Sequence, residues 1–216
     1  MNRFLKIVFF ALIVRPIVLV VLGLNVRGRD NLPMEGPAII VANHNSHLDT
    51  MVLMCLYPLS KIHKVRPVAA ADYFLSNGGF LAWLSLKCIG IIPLDRSGEG
   101  KREELFEGCH EALDNDEILI LFPEGSRGDP EQISALKKGV FFIVDQRDNT
   151  HVTPVMMHGL GRALPRGEGL LVPFNVDVVI GEKIADTDDS NKFVEIISDS
   201  FDHLSKFCLT LGKEEL

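Results

Sequence analysis

Residues 38–49 read AIIVANHNSHLD, a short apolar run that changes abruptly to polar residues. Residues 118–127, ILILFPEGSR, repeat the same order of apolar and polar residues. A continuous apolar run of this length is typical of a strand in a parallel sheet that helices cover on both faces. Because ligands bind beyond the carboxyl ends of such strands, we expect both polar runs to lie in one site.

The rest of the chain extends this pattern, since runs of strand length alternate with stretches of helical spacing. That alternation predicts an α/β domain with a central, mostly parallel sheet flanked by helices. The predicted strands are 38–42, 65–70, 89–94, 118–122, 152–157 and 176–180. The predicted helices are 47–57, 72–87, 100–113, 134–145 and 191–211. Asp95 and Arg96 follow the third strand, so three polar clusters are expected to converge.

Composition limits the class of protein. The chain has 216 residues, of which 47% are hydrophobic and 24% charged, which fits one globular domain and excludes a disordered or collagen-like chain. Its four cysteines are scattered without a CxxC pair. This favours neither a zinc ribbon nor a disulfide framework, and a reducing compartment is the simpler expectation.

The charge is unevenly distributed. The formal net charge is −7, yet residues 1–29 contain five basic residues and no acidic one, so residues 30–216 carry −12. An acidic body is unsuited to tracking nucleic-acid phosphates, and we expect no nucleic-acid partner. The basic N-terminal arm is better suited to an anionic membrane surface.

Residues 4–24 of this arm are almost entirely apolar, with Arg15 and Pro16 near the middle. A charge at the centre of a bilayer is costly, and proline breaks or kinks a helix. We therefore expect two short apolar helices lying in one leaflet, with Arg15 reaching lipid phosphates. A signal peptide is disfavoured because no small-residue cleavage site follows, whereas a buried core helix stays an alternative. The predicted domains are a membrane-associating helical arm, 1–30, and an α/β domain, 31–216.

His44 and Asp49 are the candidate catalytic pair. Five residues apart, they can meet across a strand-to-helix corner if Ser46 caps the helix and Asp49 faces back to the imidazole. The carboxylate would then fix the tautomer of His44, whose free nitrogen could take a proton from an alcohol. A capping box without catalysis and a metal site that includes His47 are the alternatives, but no further His/Cys cluster completes a metal site.

The other two clusters suit an anion. Two arginines, Arg96 and Arg127, can bind a phosphate bidentately, and Gly125 allows close approach of backbone amides. Glu124 would orient an arginine or accept a hydroxyl, and Lys137 and Lys138 are further candidate cations. The sequence around Ser126 lacks the first glycine of a nucleophile elbow, and no dinucleotide-binding loop is present, so no cofactor is implied.

Four ordered blocks then carry a resemblance: NH(x)4D at 43–49, GIIPLDR at 90–96, FPEGSR at 122–127 and TPV at 153–155. Together they closely resemble the blocks of the glycerolipid acyltransferase family, which includes the lysophosphatidic acid acyltransferases. The resemblance covers about residues 25–185. It implies a membrane-bound α/β enzyme without a metal, peripheral or monotopic on the cytoplasmic face, with a two-helix anchor that the arm resembles.

The resemblance also implies a reaction and roles for residues. An acyl group would move from acyl-CoA or acyl carrier protein to the free hydroxyl of 1-acylglycerol-3-phosphate, giving phosphatidic acid for phospholipid synthesis. His44 is similar to the family's base and Asp49 to its orienting acid. The residues that match its acceptor-phosphate site are Arg96, Glu124, Gly125 and Arg127.

The sequence departs from the family where many members carry lysines after the second strand. This chain has Ala69, Ala70, Ala71 and Asp72 there, so one expected cation is missing. Another lysophospholipid or a lyso-aminolipid is therefore an alternative acceptor. A thioester hydrolase and a non-catalytic protein that binds anionic lipids are alternative functions. The sequence does not specify the oligomeric state, the chain length of the acyl group or the oxyanion donor.

Overall fold

In a computed structural model of the chain, the apolar run at residues 38–42 forms a fully buried strand inside the sheet. The structure describes residues 3–46, 48–71, 84–95, 102–126, 128, 131–145, 147, 149–163 and 174–211. Within these ranges the sheet has seven strands, in the order β1-β7-β6-β2-β5-β3-β4. The strands are β1 (Leu22–Arg27), β2 (Ala38–Ala42), β3 (Val65–Ala70), β4 (Ile92–Leu94), β5 (Ile118–Leu121), β6 (His151–His158) and β7 (Phe174–Ile180).

The sheet is mostly parallel, as predicted. Strand pairs β1–β7, β2–β5, β2–β6, β3–β4 and β3–β5 are parallel, and β6–β7 is antiparallel. Buried apolar residues on both faces of β2 explain its continuous apolar sequence, because successive side chains of a strand point to opposite faces. Ile39 packs in the core cluster on one face and Ile40 in the cluster on the other, and both are fully buried.

Helices cover both faces. The helices are α1 (Arg3–Val21), α2 (Asp49–Cys55), α3 (Arg102–Asp114), α4 (Gly139–Val144), the short α5 (Leu160–Ala163) and α6 (Ser190–Ser205). Residues of α1 and α2 share the core cluster that contains Ile40, whereas α3, α4 and α6 share the cluster that contains Ile39. The α/β architecture with flanking helices is therefore confirmed.

The prediction of two short N-terminal helices is wrong. Helix α1 is continuous, and its middle turn, Phe10–Val14, is π-helical. Pro16 lies in the first turn of the α-helical segment that follows, Arg15–Val21. Proline lacks an N–H and its ring clashes with the preceding turn of a regular α-helix. The wider π-helical turn before Pro16 relieves this conflict, so the helix continues through the proline.

Two basic side chains attach α1 to the body. Lys6 is fully buried and its Nζ donates a hydrogen bond to the carbonyl of Val65 at 2.7 Å. Arg15 donates to the carbonyl of Tyr57, where the sequence had suggested contact with lipid phosphates. Both bonds satisfy charged groups that would otherwise be costly to bury. The arm is therefore packed on the sheet domain along its inner face.

Residues 22–27, which the predicted N-terminal arm includes, form β1. This strand pairs in register with β7 from Leu22↔Phe174 to Arg27↔Val179. The pairing is reinforced by Asn25, which donates a side-chain hydrogen bond to the buried carboxylate of Asp177 at 2.5 Å. Burial alone would raise the pKa of Asp177, but hydrogen bonds from Thr210 and Asn25 hold it below its ordinary value.

Several other elements are shorter than predicted. The strand predicted at 89–94 is reduced to Ile92–Leu94, because residues Leu84–Ile89 form a π-helical turn and Gly90 has a φ of 78°. The helix predicted at 134–145 begins at Gly139, and the one predicted at 191–211 ends at Ser205. Most of the helix predicted at 72–87 lies outside the described residues.

Candidate active site

The site is built on the turn between β2 and α2. Nδ1 of His44 lies 2.8 Å from Oδ2 of Asp49, so the predicted contact across the strand-to-helix corner is present. Asp49 is fully buried, whereas the side chain of His44 keeps 20% of its surface exposed. This difference lets a carboxylate hidden from water act on an imidazole that a substrate can reach.

Backbone hydrogen bonds fix the carboxylate of Asp49. Its Oδ2 accepts from the amides of Asn45 at 2.7 Å and Ser46 at 2.8 Å, in addition to the His44 ring. Because Oδ2 accepts hydrogen bonds from two amides, we assign it as an acceptor toward the imidazole as well. Nδ1 of His44 is therefore the donor in the third bond. The lone pair of the imidazole is therefore on Nε2. This is the tautomer that a general base requires.

The predicted cap at Ser46 takes part in this turn. Ser46 Oγ accepts from the amide of Leu48 at 3.3 Å, while Asp49 accepts from the amide of Ser46. Only the second of these bonds is one of a capping box, because in that motif the hydroxyl would accept from the amide of Asp49, which here donates to the carbonyl of Ser46 at 3.2 Å. The regular helix begins at Asp49, and its N-cap is Leu48. The carboxylate of Asp49 therefore bonds the start of this turn and His44 at the same time.

Asn43 holds the end of β2. Its Nδ2 donates to the carbonyl of Met157 at 2.8 Å and its Oδ1 accepts from the amide of Met157 at 2.7 Å. A buried side-chain amide with both polar atoms satisfied ties two strands rigidly together. Residue 44, the next residue, therefore leaves the sheet at a fixed position.

The second polar cluster contacts the first, as predicted. The ring of Phe122 stacks on the imidazole of His44, with centroids 4.0 Å apart and planes inclined by 18°. Glu124 is nearly fully buried, and its Oε1 accepts from the backbone amide of His44 at 2.7 Å. Its Oε2 accepts from the amide of Ser134 at 2.8 Å. Glu124 therefore fixes the backbone of His44 relative to the loop that follows β5.

The electrostatics of Glu124 follow from this position. Burial raises the pKa of its carboxyl above the ordinary value, although the hydrogen bonds from Ser134 and His44 oppose the shift. Both of its oxygens accept backbone amides, so Glu124 positions the backbone of His44 and Ser134. Its predicted roles, to orient an arginine or to accept a hydroxyl, stay predictions, since Arg96 and Arg127 lie outside the described residues.

Gly125 lies in the turn that follows β5. Its amide donates to the carbonyl of Phe122 at 3.0 Å, and its predicted part in a phosphate site stays a prediction. Its φ of 76° lies in the left-handed region, which favours glycine. A Cβ on Gly125 would lie 2.7 Å from Nζ of Lys137 and 3.1 Å from Cδ of the same side chain. The missing side chain thus makes room for an exposed lysine.

The third predicted cluster, Asp95 and Arg96, follows a strand that is not adjacent to β2. Strand β4, which precedes Asp95, lies at the edge of the sheet, and β3 and β5 separate it from β2. Asp95 is described, but Arg96 and Arg127, the predicted phosphate-binding arginines, lie outside the described residues. Among the described parts of the chain, no group of three or more His, Cys, Asp and Glu side chains has the arrangement of a metal site.

No role in the site was predicted for Asn43, Phe122 or Glu131. Asn43 and Phe122 are the first residues of the blocks at 43–49 and 122–127, and this position was the available signal. Glu131 carries no such signal, because its contacts are to Asn45, Gly159 and Gly161, each at least 28 residues away in sequence.

The chain is similar in sequence to known proteins. The family model described as Acyltransferase matches residues 23–158. The 1-acyl-sn-glycerol-3-phosphate acyltransferase LPAT1, chloroplastic, of Arabidopsis thaliana is 30% identical over 168 residues, 74% of this chain and 43% of that protein. The 1-acyl-sn-glycerol-3-phosphate acyltransferase of Saccharomyces cerevisiae is 32% identical over 144 residues, 63% of this chain and 44% of that protein. The chain thus spans less than half the length of these relatives.

A solved structure shares the fold. The crystal structure of the 1-acyl-sn-glycerophosphate (LPA) acyltransferase PlsC from Thermotoga maritima superposes with a TM-score of 0.72 at 18% sequence identity. The match covers 96% of this chain and 82% of that one. It therefore extends over the N-terminal helix, the sheet and the helices on both faces.

Proposed function

Because the chain belongs to the Acyltransferase family, as the match over residues 23–158 shows, we propose that it transfers a fatty acyl group from an acyl thioester to the free hydroxyl of 1-acylglycerol-3-phosphate. The product is phosphatidic acid, an intermediate in phospholipid synthesis. The observation that carries the proposal is the His44–Asp49 contact of 2.8 Å, with Nε2 of the imidazole left free as a base. The acyl acceptors named for the relatives support this choice of substrate.

The proposed reaction is a direct transfer. Nε2 of His44 takes the proton of the acceptor hydroxyl as that oxygen forms a bond to the thioester carbonyl carbon. The tetrahedral intermediate then collapses, the C–S bond breaks, and the departing sulfur receives the proton from His44. Asp49 stabilises the imidazolium that exists between these two proton transfers. A positioned base contributes roughly 10²–10⁴-fold to the rate of such a step.

The acceptor phosphate is proposed to lie near Gly125. The ammonium of Lys137 extends over this residue, and the backbone amide of Lys137 is anchored to the carbonyl of Pro123 at 2.8 Å. One residue before Gly125, the carboxylate of Glu124 holds the backbone of His44. The ammonium of Lys137 thus lies over the residue that follows Glu124. We propose that Lys137 acts there with Arg96 and Arg127, whose roles rest on the sequence resemblance.

Helix α1 supports association with a membrane. Arg3–Val21 is long and apolar enough to cross a bilayer by composition. Its inner residues Phe10, Val14 and Val18 pack in the core, whereas its outer residues Leu12 and Val20 are 72% and 83% exposed. A helix with one face packed on a folded domain cannot be surrounded by lipid on all sides. We propose that the outer face lies in one leaflet, as a monotopic anchor on the cytoplasmic face.

The donor is proposed to be acyl-CoA or acyl carrier protein, since a soluble thioester can approach a site at the membrane surface from the aqueous side. The mechanism needs no metal or further cofactor, because the thiolate is a good leaving group and His44 moves the proton. The alternatives, namely a different lysolipid acceptor, thioester hydrolysis and lipid binding without turnover, give different products and are separated by the following experiment.

The test measures free thiol and lipid product. Purified protein is mixed with a long-chain acyl thioester and lysophosphatidate in lipid vesicles, and we expect thiol release that depends on the lysolipid. His44→Ala is expected to abolish it, while His203→Ala, which changes an exposed histidine on α6, leaves it unchanged. Thiol release without lysolipid would indicate a hydrolase. Full turnover by folded His44→Ala protein would refute the mechanism.

A panel of lysolipids tests the acceptor. If Lys137 binds a phosphate monoester, the Lys137→Ala variant should have a raised KM for lysophosphatidate and an unchanged KM for a neutral lysolipid. Lys138→Ala is the matched control, since Lys138 is the adjacent and equally exposed lysine. Preference of the wild-type protein for a lyso-aminolipid would contradict the proposed acceptor but keep the acyl-transfer chemistry.

A further inference from the structure

Glu131 lies in the loop that joins β5 to α4, and its backbone conformation is unusual. Its φ is 62°, in the left-handed region that residues with a side chain seldom occupy. Its side chain is 9% exposed, although glutamate is normally a surface residue. A buried charged side chain on a disfavoured backbone persists where the surrounding contacts determine it, and such residues cluster at functional sites.

The carboxylate of Glu131 joins three segments of the chain. Its Oε1 accepts from the amide of Gly161 at 2.9 Å, and its Oε2 accepts from the amide of Gly159 at 3.0 Å. Oε2 also accepts from Nδ2 of Asn45 at 3.2 Å. Gly159 and Gly161 follow β6, and Asn45 lies in the turn that carries His44. One side chain thus connects the loop after β5 with the turn between β2 and α2.

Asn45 makes this connection relevant to the base. Its side chain bonds Glu131, and its backbone amide is one of the donors that fix Oδ2 of Asp49. Glu124, earlier in the same loop, bonds the backbone amide of His44. Two buried carboxylates of the loop therefore hold consecutive residues of the catalytic turn. The segment between them includes Gly125 and Arg127, where the acceptor phosphate is proposed to bind.

A buried histidine lies beside Glu131. Nε2 of His158 is 3.6 Å from Oε2 of Glu131, which is longer than a hydrogen bond. The hydroxyl of Thr210 donates to Asp177 at 2.7 Å, so it accepts from Nδ1 of His158, which lies 2.6 Å away. These two hydrogen bonds link His158 to Asp177 of β7 and hold its ring next to Glu131.

We propose that Glu131 is a positioning residue that clamps the acceptor loop, residues 122–137, to the catalytic turn, residues 43–48. This inference rests on the proposed function for its kinetic consequence, although the clamp itself is a property of the fold. Without the carboxylate of Glu131, the loop contacts the turn only at its start, through Phe122 and Glu124, and the acceptor phosphate loses part of its fixed position relative to His44. Binding of the acceptor then weakens more than binding of the thioester.

Two variants of the full-length chain test the clamp. Glu131→Gly removes the carboxylate and tolerates the left-handed backbone, so it separates the hydrogen bonds from the strain. Glu131→Gln keeps one acceptor oxygen, which can still bond Asn45. We expect Glu131→Gly to raise the KM for lysophosphatidate at least fivefold with the thioester KM changed less than twofold. Glu131→Gln should restore most of the affinity. Glu182→Gln, at an exposed glutamate, is the control for loss of charge.

Hydrogen–deuterium exchange gives a readout that does not depend on turnover. We expect faster exchange in Glu131→Gly both at residues 159–161, whose amides lose their acceptor, and at residues 43–48. Faster exchange at 159–161 alone, or an unchanged KM for the acceptor in an active enzyme, would overturn the proposal. If the wild-type protein transfers no acyl group, the proposed function fails, and exchange at residues 43–48 still decides whether Glu131 holds the turn.

Discussion

Replacing Asp49 with asparagine should weaken the base without removing it. The two backbone amides of Asn45 and Ser46 now point at Oδ2 of the carboxylate. In Asp49→Asn the amide oxygen can take the place of Oδ2 and keep all three bonds, including the one from Nδ1 of His44 at 2.8 Å, but it carries no negative charge. The imidazolium that forms when Nε2 takes the proton of the acceptor hydroxyl then has no charged partner. Formation of that imidazolium becomes less favourable, and the base is weakened.

The expected fall in kcat follows from the contribution of a general base to the reaction rate. Such a group contributes roughly 10²–10⁴-fold, equivalent to about 3–5 kcal/mol of the activation free energy. We expect kcat to fall by about this factor. Folding should suffer less, because the backbone amides keep an acceptor; the loss of charge assistance is worth about 1–3 kcal/mol, or a few degrees in Tm for a domain of this size.

The assay is thiol release from an acyl thioester in the presence of lysophosphatidate, together with a thermal melt. Asp116→Asn is the matched control, since Asp116 is an exposed residue with a positive φ that asparagine tolerates. Because His44 and Asp49 act as one unit, the double variant with His44→Ala should be no slower than His44→Ala alone. Turnover within threefold of wild type in folded Asp49→Asn would refute this reasoning.

Three further outcomes are expected. Gly125→Ala should raise the KM for the acceptor severalfold, because the new Cβ displaces the side chain of Lys137. It should also destabilise the fold by roughly 1–2 kcal/mol, because φ of residue 125 is positive. An unchanged KM would contradict the proposed role of Lys137. The pKa of Asp177 is lower in the folded protein than its ordinary value. Ionised Asp177 therefore stabilises the fold at a pH above the ordinary pKa, and this stabilisation is lost as the pH falls through the lowered pKa. Asp177→Asn should therefore lower Tm at neutral pH, and the difference in Tm from the wild type should become smaller in acid. A difference in Tm that is the same at every pH would show that ionisation of Asp177 does not contribute to stability. Leu12→Glu on the outer face of α1 should weaken sedimentation with lipid vesicles, while Leu209→Glu, an exposed site outside that helix, should not; equal effects would argue against the proposed membrane face.

The fold was largely readable from local patterns. Strands Ala38–Ala42 and Val65–Ala70 have the predicted bounds. For Ala38–Ala42 the reason is its continuous apolar sequence, which is compatible with a strand of a parallel sheet that is covered on both faces. The strand at residues 22–27 was not predicted, since β1 follows the apolar helix directly and its sequence, LGLNVR, is not a continuous apolar run. Its pairing with β7, some 150 residues away, is what makes it a strand.

The continuity of the N-terminal helix could not be predicted from the local sequence around Pro16. Proline after a central arginine predicts a break, yet a π-helical turn accommodates Pro16, and contacts to Val65 and Tyr57 satisfy the charges of Lys6 and Arg15. These acceptors are carbonyl groups distant in sequence. Residue types alone do not reveal them.

At the site, the sequence by itself determined which residue types stand at the ends of β2 and β5. It also determined that His44 and Asp49 can meet, because their five-residue spacing confines both to one turn. The tertiary structure alone decided that Glu124 holds the backbone of His44, that Lys137 fills the space over Gly125 and that Glu131 joins loop to turn. Each of these contacts links segments brought together by packing of the whole sheet, and hydrogen bonds between distant segments leave no periodic trace in the chain.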